Sequence, residues 1–139
     1  IALVVLVMTT SFLYLISLSM KPYQDARVEG EKLAKQYAEL EQADQVDFYN
    51  GLEVYYSVLG HNKKQEAIAV LIEKNDHKIY VYQLDKGISQ DKAATISREK
   101  GASDIDKITF GRYQDKPIWE VKSGNQYYLV DFETGAVIQ

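Results

Sequence analysis

Cysteine is absent from the 139 residues, and histidine and proline occur twice each. Without cysteine there are no disulfides, no thiol nucleophile and no lipoprotein-type processing, so a fold outside the cytoplasm must rest on its apolar core alone. The formal net charge of −4 speaks against nucleic acid as a partner, and no polybasic run marks a lipid-binding segment. Neither a glycine-rich phosphate loop nor an H-E-x-x-H pair occurs. Disorder is excluded by the abundance of Tyr, Val, Ile and Leu against so few prolines.

Charge is missing altogether from Ile1 to Met20, "IALVVLVMTTSFLYLISLSM". Twenty helical residues rise about 30 Å, the thickness of a bilayer's hydrocarbon core. The hydroxyls of Thr9, Thr10 and Ser11 are compatible with this, because they can bond back to helix carbonyls. The expectation is a transmembrane anchor over residues 1–21. Ser17-Leu18-Ser19 offers a small-x-small cleavage site, yet the apolar run exceeds the usual signal-peptide core of about 7 to 15 residues. An uncleaved signal anchor is therefore expected, with Lys21 onward outside the cell. A short positively charged segment before Ile1 would set that orientation.

Residues 22–139 suffice for one domain or two very small ones. Pro22 suits the first turn of a helix, where its missing N–H costs nothing. From there Tyr23, Ala26, Gly30, Leu33, Ala34, Tyr37 and Leu40 form an apolar stripe at three- and four-residue steps. Gly30 on that stripe would let another element approach closely, and Glu31–Lys35 is a favourable i,i+4 pair. Three β-rich runs follow, "LEVYYSVLG", "EAIAVLIEK" and "KIYVYQLD", separated by polar turns. The order then repeats. "ISQDKAATISREKG" predicts a helix capped by Ser89 and closed by Gly101, followed by strands over 107–115, 116–124 and 125–135, with "SGN" as a hairpin turn. The fold class is α+β: two α-β-β-β units, 22–87 and 88–139, each a helix packed on an antiparallel sheet after the membrane helix.

Little of this looks like chemistry. His61 and His77 fall in polar turn segments, and no ligand spacing supports a zinc site between them. Asp131 and Glu133 flank Phe132 beside Gly135. An acid pair needs two carboxyls held about 5 to 9 Å apart around a substrate. Asp131 instead fits the opening of a turn, its side chain accepting backbone N–H groups while Gly135 takes the positive-φ position. Asp85 and Gly87 are expected to repeat that turn in the first unit. No catalytic residue, cofactor site or metal site is assigned. Tyrosine is the unusual abundance. Tyr55/Tyr56 and Tyr127/Tyr128 must each split between opposite strand faces, one ring under a helix and one outside, whereas Tyr80 and Tyr82 share a face. Trp119 alternates with Val121 as a core residue. Exposed tyrosines would suit a protein partner.

The second half resembles a PepSY domain at Trp119-Glu120-Val121, Tyr128 to Asp131 and Thr134-Gly135-Ala136-Val137. PepSY and cystatin-like modules place one helix on antiparallel strands. With the N-terminal apolar helix and "KPYQDARVEGEKLAK", the whole chain resembles the TseB (YpmB) family of Firmicutes. That resemblance implies a non-enzymatic protein of the cell membrane, single-pass, with its C-terminal domain extracytoplasmic. It further implies a role in cell-wall elongation through a class B penicillin-binding transpeptidase, and names no contact residues. The PepSY likeness alone also admits a protease-inhibitory or chaperone-like binding module.

Overall fold

The computed structural model describes residues 1–138, and only the backbone of 17–26. A 36-residue helix, α1 (Ala2–Tyr37), leads into a meander of four strands: β1 (Leu40–Asn50), β2 (Val54–Asn62), β3 (Ala67–Glu73) and β4 (Ile79–Gln83). A 3-10 turn at Leu84–Lys86 then leads to α2 (Gln90–Glu99), β5 (Lys107–Tyr113), β6 (Lys116–Ser123) and β7 (Gln126–Asp131), the last three forming a second antiparallel sheet. The architecture is α+β, helices packed on antiparallel sheets.

Two expectations for the first unit are corrected. No new helix begins at Pro22, because α1 continues through it. A proline inside a helix removes one hydrogen bond, and no glycine or capping residue immediately before Pro22 ends the preceding turn. The first sheet also has four strands rather than three. Leu40, placed on the helix stripe by its spacing, opens β1 opposite Asn62, after Glu39 turns the chain at φ 56°. Tyr37, assigned to the same stripe, is exposed, whereas Gly30 and Ala34 are buried. Tyr23 and Ala26 lie outside the residues whose side chains are described. A Cβ on Gly30 would stand 3.2 Å from Tyr56 Cβ, so the glycine does bring helix and strand together. Glu31 and Lys35 pair at 2.8 Å.

Every described side chain from Ala2 to Ile16 is exposed, and Thr9 and Thr10 donate their hydroxyls to carbonyls of the preceding turn. Among the described residues, no helix is long and apolar enough to cross a membrane. The anchor expected over 1–21 includes residues 17–21, whose side chains lie outside the described ones.

The second unit follows its sequence closely. Ser89 Oγ accepts the Lys92 N–H at 3.1 Å, and Gly101 ends α2 at φ +114°. Gly124 makes the β6–β7 turn at φ +60°. Trp119 is buried and donates Nε1–H to the Ile88 carbonyl at 3.0 Å. It meets Phe110 edge-on at a ring separation of 4.9 Å, and Phe110 meets Phe132 at 5.2 Å. Edge-to-face pairs at this range add to simple burial.

The first sheet is buried on both faces, which is why β3 reads as the unbroken run "AIAVLI" instead of alternating. Tyr56, Val58, Ile68, Val70 and Ile72 pack under α1 with Ala34. Tyr55, Leu59, Ala69 and Leu71 join Phe110, Trp119 and Val130 of the second unit in the larger core. β5 lies across β1, β2 and β3. Its outward carbonyls are satisfied from below: Ser57 Oγ donates to Phe110 O at 2.7 Å, and Gln45 Nε2 to Ile108 O at 3.3 Å. Gly111 permits the close approach, since a Cβ there would stand 2.5 Å from the Tyr49 ring.

Gly111→Ala forces that ring or the strand to move. It is expected to destabilise the protein by about 1–3 kcal/mol, the usual cost of overpacking a filled core. Urea denaturation followed by tryptophan fluorescence measures this, because Trp119 lies in the same cluster.

Candidate binding groove between the two sheets

β1 of the first sheet and the open face of the second enclose a groove of about 480 Å³, within the roughly 300–1,000 Å³ range of small-ligand sites. β1 contributes Phe48 and Asn50, β5 contributes Lys107 and Thr109, β6 contributes Glu120 and Lys122, and β7 contributes Tyr127. Strand register explains the grouping. Lys107 stands opposite Lys122, and Lys122 opposite Tyr127, forming one row across the sheet. Thr109 stands opposite Glu120 in the next row of the same face, about 7 Å further along at the antiparallel rise. α2 covers the other face of this sheet.

The electrostatics of the groove are mixed. Two lysines directly opposite each other repel. Lys107 is relieved by Asp47 at 3.2 Å, while Lys122 has no ion pair among the described residues. Burial pushes the Glu120 carboxyl above its ordinary value, against the pull of the Lys107 ammonium. The Tyr49 hydroxyl is pushed up to about 12, by burial first and then by the Glu120 carboxylate. Tyr127 is 53% exposed.

The acids and histidines singled out by the sequence lie elsewhere. Asp131 is buried, and its Oδ1 accepts the N–H groups of Glu133 at 2.8 Å and Thr134 at 3.1 Å. Gly135 donates its N–H to Asp131 O at 2.8 Å with φ +79°. The turn is therefore as the sequence predicts, and Glu133 is exposed. The expected echo at Asp85 and Gly87 is corrected. Gly87 is extended, at φ −149°, and is small because a Cβ would collide with Phe132. His61 also departs from its expected turn: it sits in β2 and pairs with Asp44 through Nδ1 at 2.9 Å. His77 does occupy a turn, at φ 54°. The two histidines flank opposite ends of the seven-residue β3, about 20 Å apart by strand rise, and no metal-ligating cluster is found among the described residues.

Both Tyr55 and Tyr56 are buried, on opposite faces, so neither stays outside as expected; the second unit covers Tyr55. Tyr80 and Tyr82 share the inner face. Arg112, placed in no site by the sequence, lies 3.9 Å from the centre of the Tyr80 ring and donates Nε–H to Tyr82 Oη at 3.3 Å. Only its position on β5, two residues from Phe110, hinted that it would meet the first sheet.

Asp131→Ala frees two N–H groups at a buried turn and is expected to lower stability by about 1–2 kcal/mol, while Asp131→Asn, which keeps the acceptor, loses less. Thermal melts of both variants check the order. Glu120 carries a pH signature. The folded state holds the Glu120 proton to higher pH than the unfolded chain does, so stability falls as pH rises from the ordinary carboxylate value through the raised one. Glu120→Gln is expected to flatten that part of the curve. It should raise Tm at about pH 7 and change it little at about pH 4; an unchanged Tm at the higher pH would contradict the assignment.

Comparison with known proteins gives the chain its relatives. The sequence profile described as "Cell wall elongation regulator TseB-like domain" matches residues 29–73, the span from the end of α1 through β3. The chain is 34% identical over 143 residues to the "Probable cell wall elongation regulator TseB" of Bacillus subtilis (strain 168), covering 92% of this chain and 88% of that protein. The solved structure of the YpmB protein from Bacillus subtilis superposes with a TM-score of 0.70 at 32% identity, over 81% of this chain and 94% of that one. The chain belongs to the TseB family.

Proposed function

We propose that this chain is a membrane-anchored, extracytoplasmic regulator of cell-wall elongation that acts by binding a class B penicillin-binding transpeptidase, not by catalysis. The observation that carries the anchoring is the uniformly exposed apolar stretch from Ala2 to Ile16, continuous with the helix that packs on the first sheet. A surface this apolar needs a cover, and a bilayer supplies one along that stretch. The regulatory role draws on the name of the Bacillus subtilis relative. Binding accords with the acids and histidines: Asp131 is committed to a turn, and the two histidines stand at opposite ends of a strand. Both units are read as PepSY-like, a helix on an antiparallel sheet.

The natural lack of cysteine makes topology directly measurable. A single Asn125→Cys variant in the β6–β7 turn is expected to react with a membrane-impermeant maleimide in intact cells. Reaction only after lysis would refute the orientation. For the partner, a photo-crosslinking residue at exposed Tyr127 in the full chain is expected to capture a class B penicillin-binding protein. Capture of an extracellular protease would favour the inhibitory module instead, and capture of no envelope protein would refute both.

A further inference from the structure

The groove has a charge arrangement that the fold does not need. A cross-strand pair of lysines costs stability, and a valine or threonine at either position would serve the sheet better. Lys107 and Lys122 nonetheless face one cavity, and among the described residues only Lys107 has an ion-pair partner. The polar groups around them are of the kind that read a peptide. Asn50 brings an amide, Thr109 a hydroxyl and Glu120 a carboxyl, and the Phe48 and Tyr127 rings flank them.

We infer that this groove binds the free carboxylate end of a short peptide, with the Lys107 and Lys122 ammonium groups holding the carboxylate. Glu120, one row further along the same face, accepts from a backbone N–H of the peptide. Row spacing supports this division, because about 7 Å separates successive rows on one face of a strand and about 3.3–3.6 Å separates successive residues of an extended peptide. The Glu120 carboxyl therefore faces the N–H of the penultimate residue, about two residue lengths from the terminal carboxylate. A phosphate dianion fits less well. Lysine binds phosphate as a point charge, but the Glu120 carboxylate repels a compact dianion more than the single charge of a peptide end. The inference does not depend on which envelope protein the chain binds.

The test is titration of the isotope-labelled full chain in detergent micelles, read by amide shifts. The probes are N-acetyl-alanyl-alanine, its C-terminal amide and inorganic phosphate. The carboxylate probe is expected to shift residues 107–109, 120–122 and 126–128. The amide, which lacks the charge both ammonium groups hold, and the phosphate, which Glu120 repels, should each bind at least about tenfold more weakly. Lys122→Met, which keeps the aliphatic stem and removes the like-charge pair, should weaken the carboxylate probe by a similar factor without lowering Tm, and Lys122→Arg should restore the binding. Glu120→Gln should narrow the preference over phosphate. No groove shifts with the carboxylate probe would overturn the inference. So would equal binding of the amide, tighter binding of phosphate, or unaltered affinity in Lys122→Met.

Discussion

The free edge of β5 is the constraint on which the rest depends. An edge strand presents unpaired N–H and C=O groups that invite aggregation unless they are covered. Here the cover is the face of another sheet. Ser57 and Gln45 reach up to the Phe110 and Ile108 carbonyls, and Gly111 lets the Tyr49 ring close over the strand. Arg112 then bridges to Tyr80 and Tyr82 on β4. The buried hydroxyl-to-carbonyl bond replaces water that neither group could keep, so losing either partner would strand the other. In a chain without disulfides, this packed seam joins the two units.

The same seam creates the groove. Crossing one sheet over the other brings Phe48 and Asn50 of β1 beside the open face of β5–β7, where Lys107, Thr109, Glu120 and Lys122 stand in two rows. Half-burial of Glu120 follows from that crossing and costs the fold stability at neutral pH. Local features that weaken a fold often belong to a site. α1 packs on the Tyr56–Val58 face of the first sheet, the face against which Phe48 of the groove wall also packs.

Legibility in the sequence followed the locality of the signal. α2, its Ser89 cap, the Gly124 turn and the Asp131 cap rest on neighbours within four residues, and each was readable. β1 was not. Two register shifts, between Leu40/Gln42 and Ala43/Gln45, break the two-residue alternation that marks a strand. Asn50-Gly51 was its one clear sign, a hairpin dipeptide directly before the β2 run. Gly87 misled because a glycine needed for close packing looks like a glycine needed for a turn. The groove itself was invisible: its residues come from β1, β5, β6 and β7, and only the crossing angle of two sheets brings them together.

Native-state hydrogen exchange tests the docked edge most directly. If the seam makes one cooperative body, the slowest amides of β2–β3 and of β5–β6 open at the same free energy, that of global unfolding. If β5–β7 and α2 exchange through a separate opening of markedly lower free energy while β2–β3 stay protected, the second unit folds on its own terms. The groove would then be a crevice between loosely apposed parts, and the account given for it would fail.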